Sequence, residues 1–271
     1  MPPRLGSILP VQFSFSVRWK LFAAALSLGC PLGAIGQAGK TTPATTAMKA
    51  VADQVEGDWG DGRWNQADVG PFMSADIHTP QGRTLKGIAI KVGGTAQATV
   101  CFNTELLGYS AAWADGFLEF DPRRYGLIGG PKPKGRTLFA NDITPGWMHD
   151  GKLDDPRTRK LGPLPRSRAK YRGLYRHGKR VALSYTVGET TVLDEPWAGD
   201  ADGRLFLTRT LEFGQAAKPL TALIATKRGA TAVLQKIGGL AVAQLPTGDE
   251  TLWVAALGQG TGLTVKNDRI L

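Results

Sequence analysis

From residue 86 onward, apolar and polar positions alternate in short runs. Ile88, Ile90 and Val92 stand between Ala89 and Lys91, and Val100 and Phe102 flank Cys101. A period of two is the mark of a half-buried strand, and Gly93-Gly94 supplies the turn between these runs. Cys101 falls on the face opposite Val100 and Phe102, as a small packing residue and not a nucleophile. The clearest pattern lies further on: Val181, Leu183, Tyr185 and Val187 point one way, and Ala182, Ser184 and Thr186 the other. Gly188-Glu189 then fits a two-residue II′ turn before Thr190 to Leu193 returns, which predicts a hairpin. Beyond the Asp202-Gly203 turn, Leu205, Leu207, Leu211 and Phe213 share one face, with Phe206, Thr208, Thr210 and Glu212 on the other. Shorter strand candidates are 220–226, 231–235, 240–245, 252–257 and 263–266.

Strands recurring about every 8 to 12 residues, punctuated by Gly, Pro and Asp-Gly, predict an all-β fold. The expected form is a mainly antiparallel β-sandwich, or a related β-rich sheet pair, with long loops; a propeller fragment is the second choice. The connection 121–172 exceeds an ordinary turn, so it is expected to be a functional loop or a segment draped over a sheet. The chain ends at Arg269-Ile270-Leu271, directly after a strand-like stretch. A domain truncated at its C-terminal end is one expectation from that.

The first 38 residues follow a different logic. Arg4, Arg18 and Lys20 provide a positive end, Leu21 to Gly36 an uncharged apolar middle, and Gly36-Gln37-Ala38 a small-residue exit. This predicts an N-terminal signal helix over 1–38, and hence a periplasmic or extracellular protein. Pro31, Gly29, Gly33 and Gly36 argue against a buried helix in the second half. A lipid anchor at Ser27-Leu28-Gly29-Cys30 lacks the bulky aliphatic expected three residues before the cysteine. Residues 39–56 read as a linker, with a short helix around Met48 to Val55, and 57–271 as the β-rich domain. No run reaches the roughly 18 to 20 apolar residues of a membrane span, so no transmembrane span is expected once the signal is removed. Only Cys101 remains after that removal, so packing and not a disulfide must stabilise the domain. With no Cys-x-x-Cys-His, this chain cannot attach a c-type haem by that route, and no cofactor of its own is expected.

The formal charge of +10 is unevenly placed. Losing the three basic residues of the signal lowers it to +7, yet 152–180 alone carries eleven basic and two acidic residues. The rest of the mature domain is therefore slightly acidic. Arg157, Arg159, Arg166, Arg168, Lys170, Arg172 and His177 are the candidate binding residues of this strip, and Pro156, Pro163 and Pro165 deny it a long helix. It suits a polyanion or an acidic polysaccharide; a solvated, mutually repelling loop is the plainer expectation. Nucleic acid is not an expected partner, since no helix-turn-helix, zinc-finger or aromatic RNA-binding pattern accompanies the charge.

Self-sufficient chemistry is hard to find. His78, His149 and His177 lack metal-ligand spacing. Gly108-Tyr109-Ser110-Ala111-Ala112 misses the last glycine of a nucleophile elbow. Gly258-Gln259-Gly260-Thr261-Gly262 leads into a strand, not into the helix of a dinucleotide site. Asp200-Ala201-Asp202-Gly203 lacks the later ligands of a calcium loop and reads as a turn. Asp115, Glu119, Asp142, Asp194 and Glu195 are available for glycosidic acid–base work, with Asp115, Glu119 and Asp142 as the expected cluster. Of six mature tryptophans, Trp59 and Trp64 are the candidates for stacking on sugar rings, and most of the others are expected as core or loop anchors.

Several segments are distinctive together: Gly57-Asp58-Trp59-Gly60-Asp61-Gly62-Arg63-Trp64-Asn65-Gln66, Asp68-Val69-Gly70-Pro71-Phe72 and Lys86-Gly87-Ile88-Ala89-Ile90. To these add Val100-Cys101-Phe102-Asn103-Thr104-Glu105-Leu106-Leu107, Trp113, Gly116-Phe117 and Lys170-Tyr171-Arg172-Gly173-Leu174-Tyr175-Arg176-His177-Gly178. Across about residues 57–271 the chain resembles an uncharacterised N-terminal domain family of exported, haem-binding (c-type cytochrome) multidomain proteins of Planctomycetes and Verrucomicrobia. In that family the domain commonly precedes a sorbosone- or glucose-dehydrogenase-like propeller and a cytochrome segment. The resemblance implies a front module whose redox partners, haem c among them, belong to segments this chain lacks, and it carries over no catalytic residue. The expected function is an exported, non-catalytic recognition or docking module associated with carbohydrate-oxidising c-type cytochrome proteins. A cytochrome-bearing protein or a carbohydrate is the expected partner. The alternatives are a carbohydrate-active enzyme built on clustered carboxylates and an electrostatic polyanion binder.

Overall fold

A computed structural model describes residues 11–18, by their backbone, and residues 62–271 apart from 96, 123–128, 249 and 259. In chain order the strands are β1 (Val11–Arg18), β2 (Phe72–Thr79), β3 (Gly82–Val92), β4 (Ala98–Asn103), β5 (Gly108–Ala114), β6 (Leu118–Glu119), β7 (Lys132–Pro133), β8 (Arg136–Ala140) and β9 (Ala169–His177). They continue with β10 (Arg180–Val187), β11 (Thr190–Ala201), β12 (Arg204–Phe213), β13 (Ala225–Thr226), β14 (Val233–Ile237), β15 (Leu240–Pro246), β16 (Thr251–Leu257), β17 (Val265–Lys266) and β18 (Arg269–Ile270). A short 3-10 turn at Arg63–Gln66 is the helical element among the described residues, and no helix there is long and apolar enough to cross a membrane.

Two antiparallel sheets carry the architecture, as the alternation predicts. The large sheet has the order β14-β15-β16-β1-β12-β11-β10-β9, and the small one β2-β3-β4-β5-β8. Their facing sides bury one core: Ile88, Ile90, Val100, Phe102 and Ala112 from the small sheet meet Val181, Leu183, Tyr185, Leu207, Leu211 and Val254 from the large one. Phe102 lies at its centre, stacked on Tyr185 at 5.7 Å between centroids and edge-on to Tyr109 at 5.2 Å.

The predicted β10–β11 hairpin forms with Gly188 at φ +56°, the positive angle a II′ turn demands of its first central residue. The Asp202-Gly203 turn joins β11 to β12. Cys101 faces away from the central core, as predicted, into a second cluster with Ile77, Ala89, Ala111, Trp113, Leu118 and Phe120. Burial pushes its thiol up to about 12, which leaves it protonated and unreactive at neutral pH.

Departures from expectation fall where alternation is short or masked by charge. The segment 121–172 contains β7, β8 and the start of β9, and sends Trp147 and Leu164 into the central core. It is thus draped over the sandwich and partly woven into it. Trp147 is seated by a close crossing of two glycines: a Cβ at Gly146 would lie 2.1 Å from the Leu107 carbonyl oxygen. In 220–226, Ala225–Thr226 is the only part that forms a strand, because the preceding residues pair individually, Trp147 with Ala222 among them. Of the N-terminal segment expected as a signal helix, residues 11–18 run as β1; the apolar stretch 21–36, the linker and Trp59 lie outside the described residues.

Replacing Phe102 with Ala is expected to cost about 3–5 kcal/mol, as for other large core aromatics, whereas Tyr175→Ala on the exposed side of β9 should change stability by no more than about 0.5 kcal/mol. Denaturant unfolding of the two variants checks the contrast.

Candidate functional site

The most buried charged groups among the described residues form an ion pair between neighbouring strands. Asp194 on β11 and Arg209 on β12 are 0% and 3% exposed. Arg209 donates from Nε to both carboxylate oxygens, at 3.1 and 3.0 Å, and from Nη2 to Oδ2 at 2.7 Å. Tyr185 donates its hydroxyl to Oδ2 at 2.7 Å, and Tyr109, from the small sheet, to Oδ1 at 3.0 Å. The guanidinium also lies over the Tyr109 and Trp147 rings. Burial and the Asp194 charge together raise both tyrosines well above the ordinary phenol range. Burial opposes the Arg209 charge, but Asp194 outweighs it and raises its pKa. Both carboxylate oxygens are engaged by fixed donors, and because Tyr109 comes from the small sheet the cluster ties the two sheets together. Arg209 escaped the sequence reading, although its signal was present: it occupies a core phase between Leu207 and Leu211.

The basic strip does not act as one surface. Arg157 is buried and donates to Asp155 at 2.9 Å from both Nε and Nη2, and to Glu105 Oε2 at 3.2 Å. Burial alone would raise the Asp155 carboxyl, yet the Arg157 hydrogen bonds hold it below the usual range. That part of the strip is a structural clamp on the β4–β5 connection, contrary to a solvated loop, because Glu105 supplies a partner from 52 residues upstream. Arg159 and Arg166 are exposed on the loop, as a solvated run would be. Arg168 is half-buried and donates to the Asp154 carbonyl at 3.2 Å. It lines a cleft of about 350 Å³ with His149, Asp150, Ser167 and Lys218. There Lys218 and His149 hold the Asp150 carboxyl below its ordinary value.

Lys170, Arg172 and His177 stand on β9, the edge strand of the large sheet, and all three are exposed. Ala169 and Tyr171 pair with core positions of β10, so Lys170 points to the opposite, outer face. A bulge at Arg172-Gly173 resets the phase. Beyond it Tyr175, 65% exposed, sits opposite Ala182, and His177 opposite Arg180. Arg180 in turn stacks on the Trp197 indole, 4.1 Å from its centroid, and forms an ion pair with Glu195. Phe206 pairs with Gly199, where a Cβ would lie 2.4 Å from the Phe206 ring. Glycine at 199 therefore lets that ring lie across the strand. The outer face of β9–β12 thus presents Tyr175, Trp197 and Phe206 among Lys170, Arg180 and Glu195.

The other candidates are dispersed. Trp64 packs half-buried against the Cys101 cluster, and its neighbour Asn65 is hydrogen-bonded to Phe120. Trp113 and Trp147 are core residues. Asp115 pairs with Arg136 and Glu119 with Lys132, while Asp142 lines an open depression with Gln81, Ile143 and Arg228. Neither of the other two acids lines that depression. Ser110 accepts from Thr84 inside the small sheet, and the Asp200 side chain accepts from the Gly203 N–H, a turn-stabilising bond. Among the described residues, no three His, Cys, Asp or Glu side chains gather as metal ligands would.

Residues 100–194 match the sequence family described as a domain of unknown function (DUF6797). The match includes Tyr109, Tyr185 and Asp194, and stops short of Arg209. No curated protein and no solved structure matches the chain.

Arg209→Met is expected to destabilise the domain by about 3–5 kcal/mol, since it strands a buried carboxylate, and Arg209→Met with Asp194→Leu should recover part of that loss. Thermal unfolding of the single and double variants measures it. Because Tyr109 and Tyr185 titrate higher folded than unfolded, the unfolded chain releases their protons first. Stability should therefore fall as pH rises past about 10, the ordinary tyrosine value. A phenolate absorbance titration should show these two ionising only as the fold is lost.

Proposed function

We propose that this chain is an exported, non-catalytic recognition module that binds carbohydrate, acidic chains above neutral ones, on the outer face of β9–β12. The observation that carries this reading is the exposed Tyr175 and the Arg180-stacked Trp197 on one open sheet face, beside Lys170 and Arg172. Sugar rings present flat apolar faces edged by hydroxyls. Aromatic side chains cover the first, and Arg, Glu and His supply hydrogen bonds to the second. The excess of Lys and Arg on the edge strand favours carboxylated or sulfated polymers. Export follows from the charged, apolar and small-residue order of residues 1–38. The resemblance to modules of carbohydrate-oxidising c-type cytochrome proteins supports a docking role beside such an enzyme. An acid–base hydrolase has less support, since Asp115, Glu119, Asp194 and Glu195 each sit against a cationic partner.

Retention on immobilised polygalacturonate and on a neutral glucan tests the reading. Both should retain the protein, the acidic polymer more strongly. Tyr175→Ala should weaken both by up to about tenfold, the weight of a single aromatic contact of about 1.5 kcal/mol. Retention that vanishes on both polymers with moderate salt and ignores Tyr175→Ala would instead identify a purely electrostatic polyanion binder. Retention on neither polymer would end the carbohydrate reading.

A further inference from the structure

The large sheet is continuous only through β1. β12 and β16 lie on either side of Val11–Arg18, antiparallel to it, and are not paired with each other. Six residues of β1 have register partners on β12 and seven on β16. The register is in phase with the core. Val11 stands opposite Leu211, Phe13 opposite Arg209, Phe15 opposite Leu207 and Val254, and Val17 opposite Leu252. Those partners are all buried on the inner side of the sheet. Gln12, Ser14 and Ser16 fall at the alternate positions, so the segment carries the apolar–polar pattern of a central strand. Yet this strand precedes the apolar stretch 21–36 and the expected cut after Ala38, so export processing would sever it from the domain.

We propose that the seam between β12 and β16 is a strand-acceptor site, held by Val11–Arg18 until the leader is cut and filled thereafter by an extended segment of a partner protein with the same apolar–polar alternation. The second half of this proposal rests on the export reading; the acceptor site itself does not. An empty seam would leave two unpaired edges in the middle of a sheet and open the core at Leu207, Leu211, Leu252 and Val254. A strand added from outside satisfies both edges by main-chain hydrogen bonds, and apolar residues at every second position fill the core side.

The test uses the full chain, produced without export, with a specific protease site inserted between Ala38 and Gly39. In the uncut chain carrying Cys30→Ser, Ser14→Cys and Ala255→Cys, the paired positions should cross-link on oxidation; failure to do so would refute the register. After cutting, the leader fragment should either remain bound and be replaced by excess labelled peptide 11–18, or leave with loss of amide protection in β12 and β16 that the peptide restores. A peptide with Phe13→Ser and Phe15→Ser should do neither. Three results would overturn the proposal: release with protection unchanged, retention with no exchange, or lost protection that the peptide does not restore. N-terminal sequencing of the exported protein checks the processing step separately, since a start before residue 11 would remove the export-linked exchange and leave the acceptor result standing.

Discussion

The Arg209–Asp194 pair is the constraint around which the sandwich is arranged. A charge removed from water is tolerable only where opposite charge and directed donors replace the lost hydration. Here the requirement is met from four directions: Arg209 on β12, Asp194 on β11, Tyr185 on β10 and Tyr109 on β5. Three of these lie on adjacent strands of one sheet and the fourth on the other sheet. The cluster therefore sets the register of β10–β12 and also fixes how the small sheet sits over them. Apolar residues alone would permit sliding between sheets at modest cost; a bonded carboxylate does not.

The two sheets are covered differently. The small sheet is covered on both sides, by the central core and by the Trp113–Phe120 cluster with Trp64. The large sheet is covered on its inner side, while the outer face of β9–β12 keeps Tyr175, Arg180 and Leu193 exposed. On that face the aromatic and ionic side chains are held in position by strand pairing and by the Arg180 contacts to Trp197 and Glu195. The bulge at Arg172-Gly173 brings Tyr175 and His177 onto the outer face of this edge strand.

Charge in this chain divides by partner and not by density along the sequence. Arg157 has Glu105 and Asp155, so it folds inward and clamps a loop; Lys170 and Arg172, on an outward-facing edge, remain in water. A run of basic residues that looks uniform thus performs two physical tasks. The difference is set by carboxylates within reach, Asp155 two residues away and Glu105 brought by the fold from 52 residues upstream.

Much of the architecture was legible in the residues themselves. Alternation at 88–92, 100–102, 180–193 and 205–213, with Gly188-Glu189 and Asp202-Gly203 between strands, pointed to an all-β antiparallel sandwich and placed Cys101 on the second face, since a strand's period of two is a local property. β8 and β9 were hidden because Arg136, Lys170, Arg172 and Arg176 obscure the alternation of partly exposed strands. Tertiary structure alone decided which groups Arg209 meets in the core, that Arg157 is tied to Glu105, and that Tyr175, Trp197 and Arg180 share one face. Each of those outcomes depends on a partner from another strand or loop, and neither composition nor spacing encodes a contact across such a distance.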